Sequence, residues 1–149
     1  MELTLKEIVA SDLSEILELA ESVNEEHVIP CLNPEGQQTM RRVRRSDIEQ
    51  VINKDVYTAI KAVAEGRIIG YVAWRQGRYI AQLYVSTEYQ GLGIGRQLVT
   101  EMQRISGAET IELKASINAV GFYEKLGFKA TEEELESSGI RYVPMKRVI

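Results

Sequence analysis

The sequence predicts an α/β protein of the α+β kind, built on a mixed and mostly antiparallel sheet. Three β-rich runs, Val56–Ala64, Ile68–Trp74 and Arg78–Val85, are joined by tight turns at Glu65-Gly66 and Gln76-Gly77, which predicts an antiparallel meander. Residues at helical spacing follow the third run, and a further alternating run comes after them. Because a helix separates these last two strands, they should pair in parallel through a right-handed crossover.

Periodicity marks the elements of this crossover. The helical positions after the third run are Ile94, Leu98, Met102 and Ile105. From Thr110 to Ala115 apolar and charged residues alternate, which indicates a strand. One face of a short helix is then formed by Ala119, Phe122, Tyr123 and Leu126. Gly127 ends that helix as the residue after its C-cap.

The N-terminal half predicts one strand, Leu3 to Val9, and an amphipathic helix after it. The apolar positions of this helix are Leu13, Ile16, Leu17, Ala20 and Val23. Ser11 or Asp12 is expected to cap it, with Glu15 completing a capping box. The segment from Asn24 to Gly36 shows no sustained period and is expected to be a loop.

Two more helices and a hairpin complete the expected order. Gln37 to Arg45 predicts a short helix, and Ser46 to Glu49 forms a capping box for another that ends near Lys54. Phe128 to Thr131 and Ile140 to Arg147 are expected to pair as a last hairpin across a charged loop. Pro144 places the final strand at an edge or a bulge, because proline cannot donate to a sheet ladder.

Composition indicates one globular domain, residues 1–149, with 44% hydrophobic and 27% charged residues. A net charge of −4 gives no general attraction to nucleic acid or anionic lipid. No apolar run approaches ~18 residues, and the N-terminus lacks the basic and apolar regions of a signal peptide. The single Cys31 excludes an internal disulfide framework. These features predict a cytoplasmic protein with no membrane association, and they leave a homodimer open.

The glycine-rich turn before the crossover helix predicts a phosphate-binding site. Its residues are Gln90, Gly91, Leu92, Gly93, Ile94, Gly95 and Arg96. Glycine lets a loop turn several N–H groups in one direction, and these add to the free donors and positive dipole end of the helix. Arg96 can add a charged contact. The run fits neither a P-loop, which requires Lys-Ser or Lys-Thr after the glycines, nor the G-x-G-x-x-G dinucleotide fingerprint.

Counted from Gln90, the run is Q-x-x-G-x-G, which resembles the acyl-CoA signature R/Q-x-x-G-x-G/A of the GNAT superfamily of N-acetyltransferases. A second block, Asn118-Ala119-Val120-Gly121-Phe122-Tyr123-Glu124-Lys125-Leu126-Gly127-Phe128, resembles the downstream N-x-x-x-x-F-Y-x-K-x-G-F segment of that family. The motif resemblance covers residues 83 to 128. The N-terminal half agrees with the family in element order alone.

The resemblance implies a sheet with helices on both faces and a splayed central strand pair, in whose cleft acetyl-CoA lies as co-substrate without a metal. Leu83, Tyr84 and Val85 would line the pantetheine, and Asn118 would bond it. The run from Gln90 to Arg96 would cradle the pyrophosphate. Acetyl would pass directly from the thioester to a primary amine of a small molecule or protein.

The resemblance also implies a catalytic role for Tyr123, as the general acid that protonates the departing thiolate. A phenol with a pKa near ~10 is protonated at neutral pH and can bond a sulfur anion. Tyr123 shares its helical face with Phe122 and Leu126, so a role in the core alone stays open. Asn118 is also a candidate N-cap of its helix, either alone or in addition to that contact.

Other candidate residues have weaker sequence support. Arg41, Arg42, Arg44 and Arg45 form a basic cluster, which indicates a solvated helix face, an anionic substrate pocket or, least of all, a nucleic-acid patch. His27, beside Glu25 and Glu26, is a candidate to activate the substrate amine. Many family members carry a carboxylate base on the strand before the loop, where this chain has Gln82. The general base is therefore unassigned, as is the acceptor.

Two other classes of function remain open from the sequence. The absence of an evident base and the charged stretch from Glu132 to Glu136 are compatible with a CoA-binding regulatory module that lacks turnover. A nucleic-acid-binding adaptor would depend on the arginine cluster and would bind with strong salt dependence.

Overall fold

An eight-stranded sheet forms the centre of the computed structural model, which describes residues 2–149. The strands are β1 (Thr4–Glu7), β2 (Tyr57–Ala64), β3 (Arg67–Arg75), β4 (Tyr79–Val85), β5 (Thr110–Ser116), β6 (Lys129–Ala130), β7 (Leu135–Ser137) and β8 (Ile140–Val148). The helices are α1 (Leu13–Val23), α2 (Pro34–Glu49), α3 (Ile94–Ser106) and α4 (Val120–Lys125). The strand order is β1-β2-β3-β4-β5-β8-β6, and β7 pairs with β8.

The predicted meander is confirmed by the antiparallel pairing of β2 with β3 and of β3 with β4. Its two turns each place both central residues at positive φ: 53° and 74° at Glu65 and Gly66, and 55° and 68° at Gln76 and Gly77. Two consecutive positive φ values define a type I′ turn, whose twist matches that of the flanking strands. The turns therefore fix the register beside them, and each strand pair then shifts register at a β-bulge, between Ala62 and Val63 in β2 and between Ala73 and Trp74 in β3.

The predicted parallel pair, β4 and β5, is paired over only two positions. Tyr79 lies opposite Glu112 and Ile80 opposite Leu113, and no pairing follows in either strand. Beyond these positions β4 continues on β3, while β5 continues on β8 up to Ser116. The expected splay of the central strands is thus confirmed, and it leaves a gap in the sheet beside the second half of β4.

Both faces of the sheet are covered by helices, as expected. On one face, α3 and α4 pack through Leu98, Met102 and Leu126 against the apolar side of β3, β4, β5 and β8. On the other face, α1 and α2 pack through residues such as Ile16 and Ile48 against Tyr71 of β3. Alternation along β4 assigns Leu83 and Val85 to the first core and Tyr84 to the second. The divergence of β4 from β5 therefore opens between two separate cores.

The prediction of a loop from Asn24 to Gly36 is wrong. One π-helical turn (Asn24–Val28) and one 3₁₀ turn (Ile29–Cys31) continue α1 directly, and α2 already begins at Pro34. The π turn breaks the 3.6-residue period, which is why the pattern gave no helical signal. Asn33 caps α2, because its Oδ1 accepts a hydrogen bond from the N–H of Gly36 at 2.8 Å.

The two short helices expected from Gln37 to Lys54 are one helix, α2, followed by a 3₁₀ turn from Gln50 to Ile52. Ser46 is therefore an interior residue and caps nothing. The capping box expected at α1 is also absent: the Glu15 carboxylate accepts from the N–H of Ile68 at 2.7 Å, on β3. Tertiary contacts have replaced the local hydrogen bonds in both cases.

The last strands differ from the expected simple hairpin. β7 forms an additional short strand, and β8 lies inside the sheet, between β5 and β6. In a strand, the N–H and the C=O of one residue point to the same side. The C=O of Pro144 accepts from the N–H of Thr131 at 2.9 Å, so the N–H that proline lacks would face the break between β6 and β7 and not β5. Pro144 is therefore tolerated inside the sheet.

Two arginines of the basic cluster bind α2 to the turn after α1. Arg41 donates to both carboxylate oxygens of Glu25 at 3.1 Å, and Arg44 donates to one of them at 2.9 Å. Arg45 pairs with Glu21 of α1 and with Glu49. These ion pairs make the cluster a link between helices. Among residues 2–149, no helix combines the length and apolar character that crossing a membrane requires.

The Glu25 ion pair predicts a pH-dependent stability. Hydrogen bonds from Arg41 and then Arg44 lower the pKa of Glu25 from 4.5 to about 2. Its stabilisation is therefore present above pH 4.5 and is lost as the pH falls through about 2. We expect Glu25→Gln to melt at a lower temperature than the parent at pH 7, and the difference to close between pH 4.5 and 2. Glu18→Gln, which removes an exposed carboxylate of α1, is the control; an equal effect in both variants would contradict this role.

Candidate functional site

A cleft of about 770 Å³ opens where β4 and β5 diverge. It runs from the glycine loop past the end of α4 to the turn after α1. Eleven of the twelve site residues expected from the sequence line it: Leu83, Tyr84, Val85, Gln90, Gly91, Gly93, Ile94, Gly95, Arg96, Asn118 and Tyr123. Leu92 is not among the lining residues and is 58% exposed.

The glycine loop turns its backbone towards the cleft through two left-handed residues. Gly91 has φ of 80°, and Gly93, the N-cap of α3, has φ of 81° and ψ of 11°. The side-chain amide of Gln90 donates to the C=O of Val85 at 2.9 Å and so fastens the loop to the end of β4. The glycine loop is therefore held at one end of the cleft, beside the N–H groups in the first turn of α3 that have no partner within the helix. This arrangement suits an anion such as a phosphate.

Gly95 has a different role from the two glycines before it. A Cβ at this position would lie 2.6 Å from Cζ of Phe122, so the absence of a side chain lets the aromatic ring approach α3. Arg96, in the same helical turn, donates to the C=O of Lys125 at 3.3 Å, at the end of α4. The first turn of α3 is thus joined to α4 by one ring contact and one hydrogen bond.

Tyr123 combines a buried ring with an accessible hydroxyl. The residue is 8% exposed, and its ring packs edge-on against Phe122 and Phe128 at centroid distances of 5.1 and 5.6 Å. Its hydroxyl forms no hydrogen bond within residues 2–149, where no buried side-chain nitrogen or oxygen lacks a partner, so it reaches the cleft. Burial raises the pKa of Tyr123 well above the usual value for a phenol. The hydroxyl therefore stays protonated at neutral and moderately alkaline pH.

The side chains of β4 that face α1 and α2 are held by hydrogen bonds. The Tyr71 hydroxyl donates to Oε1 of Gln82 at 2.7 Å, and Nε2 of Gln82 donates to the C=O of Asp47 at 2.9 Å. The Tyr84 hydroxyl pairs with the amide of Asn24 at 3.1 Å. The oxygen and the nitrogen of the Gln82 amide are both hydrogen-bonded, so this residue has a structural role. It stands where many family members carry a carboxylate base.

The far half of the cleft is built by residues that carried no sequence motif. They come from the turns after α1, from α2 and from β8, and comprise Val23, Asn24, His27, Val28, Cys31, Leu32, Met40, Ile140, Arg141 and Tyr142. The π-helical turn packs beside residues 117–119 and is also bonded to Thr87, just before the glycine loop, through Glu26 and His27. This half could not be found from periodicity, because its wall is assembled from segments more than 100 residues apart in the chain.

Charge in the cleft is one-sided. Lining residues include four cations, Arg96, Lys114, Lys125 and Arg141, and no aspartate or glutamate. Arg141 is paired with Glu134, while Lys114 lies over the ring of Tyr142 at 5.3 Å from its centroid. Within residues 2–149, no group of three or more His, Cys, Asp or Glu side chains could hold a metal ion. The cleft is thus suited to anionic ligands.

Comparisons with known proteins agree with this geometry. The family model of the acetyltransferase (GNAT) domain matches residues 20–149. A glucosamine 6-phosphate N-acetyltransferase of Trypanosoma brucei brucei is 29% identical over 148 residues, 91% of this chain and 95% of that protein. The PaiA N-acetyltransferase of Thermoplasma acidophilum, solved in complex with coenzyme A, superposes with a TM-score of 0.80 at 21% identity, over 100% of both chains.

Shorter matches point to the same class of protein. A peptidyl-lysine N-acetyltransferase of Salmonella typhimurium is 34% identical over 68 residues, 44% of this chain and 47% of its own. The chain thus spans about half the length of this relative.

Proposed function

Because this chain belongs to the acetyltransferase (GNAT) family, we propose that the cleft between β4 and β5 is where it moves an acetyl group to an acceptor amine. The chain is an N-acetyltransferase, and acetyl-CoA is its acetyl donor. The observation that carries the assignment of the site is the divergence of β4 from β5 beside a glycine-capped helix. A cytoplasmic location is also proposed, since the single Cys31 forms no disulfide and suits a reducing compartment.

The donor end of the cleft is assigned to the glycine loop. The N–H groups around Gly91 and Gly93 and the first turn of α3 would bind the pyrophosphate, supported by the charge of Arg96. The backbone of Leu83 to Val85, which has no partner from β5, would pair with the amides of the pantetheine arm. Asn118 also lines the cleft and would bond the pantetheine arm from the opposite side. The backbone groups of Leu83 to Val85 are free to bind because β5 does not pair with β4 at these positions.

The acetyl transfer itself needs an aligned amine, a polarised carbonyl and a proton for the leaving group. The amine nitrogen attacks the thioester carbon, and free N–H groups of β4 stabilise the oxyanion. The C–S bond then breaks, and the hydroxyl of Tyr123 gives its proton to the thiolate. The nitrogen loses one proton as the amide forms, and this proton restores the tyrosine hydroxyl through solvent. Holding both reactants in one cleft can contribute about 7–11 kcal/mol of the barrier reduction.

The acceptor is proposed to be an amine that carries an anionic group. Four cations and no carboxylate line the cleft, and Lys114 is in no ion pair within residues 2–149. A polycationic acceptor would meet unfavourable charge there, whereas a phosphate or carboxylate would meet Lys114 and the free Nη1 of Arg141. The Trypanosoma relative, named for a phosphorylated amino sugar, is compatible with this class.

A panel of acceptor amines that differ in charge tests this preference for an anionic group. We expect glucosamine 6-phosphate to be acetylated with a higher kcat/KM than glucosamine, and spermidine and kanamycin to be the poorest, measured by thiol release. Lys114→Gln should reduce the ratio between the two glucosamines, and Lys146→Gln, a change at an exposed residue of β8, should not. A preference for spermidine over both sugars would exclude an anionic acceptor.

The glycine loop predicts a ligand-specific effect of Gly93→Val. A side chain at φ of 81° is strained by about 1–2 kcal/mol, and here it would also stand between the backbone and the pyrophosphate. We expect the variant to lose the thermal stabilisation that CoA gives to the parent. Gly77→Val, at φ of 68° in a remote turn, carries the same kind of strain and should keep that stabilisation. Equal stabilisation of the parent by NAD would contradict the assignment of the loop.

The proposed acid predicts the kinetics of Tyr123→Phe. The ring still packs against Phe122 and Phe128, so folding and most acetyl-CoA affinity should be kept. We expect kcat to fall by ~10²-fold or more with little change in KM, because the proton is donated only as the C–S bond breaks. Since burial raises the pKa of Tyr123, the parent should show no alkaline loss of activity from this group up to pH 10. Tyr57→Phe is the control, and a Tyr123→Phe enzyme within a few-fold of the parent would leave Tyr123 a packing residue.

A further inference from the structure

One histidine, His27, lines the cleft from the π-helical turn after α1. Its side chain is half-buried and lines the cleft near Asn24 and Cys31. π turns inside helices often occur at functional sites, since the extra residue redirects the side chains around it. Here the turn brings His27 beside Thr87, which directly follows β4 and lies 60 residues away in sequence.

A hydrogen-bond chain fixes the proton on this imidazole. The Thr87 hydroxyl donates its only hydrogen to Oε2 of Glu26 at 3.0 Å. It must therefore accept from Nε2 of His27, which lies 3.1 Å from the same oxygen. Nε2 carries the hydrogen in the neutral ring, and Nδ1 carries the lone pair. No hydrogen bond within residues 2–149 engages Nδ1, and no unpartnered side-chain nitrogen there is buried, so Nδ1 is accessible.

Other groups around the cleft are unsuited to accept a proton. Gln82 has both ends of its amide engaged and is not basic. Among the charged lining residues are four cations and no carboxylate. Tyr123 is kept protonated by burial, and the Tyr84 hydroxyl is paired with Asn24. His27 is the lining side chain with a free, neutral acceptor nitrogen.

We propose that His27 is the general base of the reaction, and that Thr87 and Glu26 position it. The inference rests on the proposed function, because it needs an amine acceptor in the far half of the cleft. Nδ1 takes the proton from the ammonium form of the acceptor, which frees the nitrogen lone pair that attacks the thioester. The proton taken from the ammonium is held on the imidazolium, which releases it to solvent. A separate proton from Tyr123 goes to the thiolate. The second amine proton lost on amide formation restores the tyrosine hydroxyl through solvent.

Glu26 and Thr87 act on the same ring from its other side. The carboxylate of Glu26 fixes the Thr87 hydroxyl, which in turn holds the Nε2–H of the ring and leaves Nδ1 as the free nitrogen. The Cys31 thiol donates to the C=O of His27 at 3.4 Å and helps to hold the backbone of the turn. Base and acid thus stand on separate elements, the π turn and α4.

The tautomer is directly measurable because His27 is the only histidine of the chain. In a long-range ¹H–¹⁵N spectrum of uniformly labelled protein at alkaline pH, we expect one imidazole with hydrogen on Nε2 and a bare Nδ1. Thr87→Val removes the hydroxyl and keeps the shape of the side chain, so it should give mixed tautomers. Thr87→Ser keeps the hydroxyl and should restore the parental spectrum. A parent with hydrogen on Nδ1 would overturn the proposal.

Kinetics with two amines of different basicity separate base catalysis from packing. The amine of 4-(aminomethyl)benzoate is protonated at pH 7 and needs a base, whereas that of 4-aminobenzoate is already neutral, and both molecules carry the anionic group proposed for the acceptor. We expect His27→Gln to lower kcat for 4-(aminomethyl)benzoate by ~10²-fold and for 4-aminobenzoate much less. Thr87→Val should show a smaller loss with the same selectivity, rescued in Thr87→Ser. Equal losses for the two amines, or parental rates for both, would overturn the role of His27.

Folding and donor binding provide the remaining controls. Thermal unfolding and the stabilisation by CoA should be unchanged in His27→Gln, because His27 contacts the Thr87 hydroxyl, whereas the glycine loop is held through the backbone C=O groups of Thr87 and Val85. A variant with a much lower melting temperature is replaced by Thr87→Val for the kinetic test. If the parent neither binds acetyl-CoA nor acetylates any amine, the proposed function fails, while the tautomer measurement still decides whether the hydrogen-bond chain exists.

Discussion

The divergence of β4 from β5 after two paired positions is the constraint on which the site depends. A strand in the middle of a sheet has all its N–H and C=O groups engaged, and such a strand cannot bind a ligand through its backbone. Here β4 keeps its bonds to β3 and gives up those to β5, so one row of groups beside Leu83 to Val85 is left for a ligand. The chain tolerates the gap because α3 and α4 support β4 and β5 from one face, and α1 and α2 support β4 from the other.

The two ends of this gap differ in what they offer. The end proposed for the donor is made of backbone, through Gly91 and Gly93 and the start of α3, and these glycines are required by positive φ. Gly95 is required instead by the approach of the Phe122 ring, so three glycines of one motif answer to two different physical demands. The end proposed for the acceptor is made of side chains on the π turn, α2 and β8, which offer charge and hydrogen bonds.

The ionisable groups follow the same division. Burial among aromatic rings keeps Tyr123 in its protonated form, whereas Nε2 of His27 is bonded to the Thr87 hydroxyl and Nδ1 has no partner within residues 2–149. The first environment holds a proton, the second leaves an acceptor nitrogen open, and both residues line the cleft. The arginine cluster, by contrast, serves α2: Arg41 and Arg44 neutralise Glu25, and this fastens the wall that carries His27.

Sequence alone determined the elements whose signals are local. Alternation and I′ turns specified the meander, and the spacing from Gln90 and the block from Asn118 to Phe128 specified the family and the residues that line the donor half of the cleft. Tertiary structure decided the rest. The π turn joined α1 to the next segment without a 3.6-residue period, and β8 entered the sheet interior because the missing N–H of its proline faces a break between strands. The contact of His27 with Thr87 joins residues 60 positions apart, and the far wall of the cleft joins segments more than 100 residues apart; no pattern within one segment encodes its distance from another.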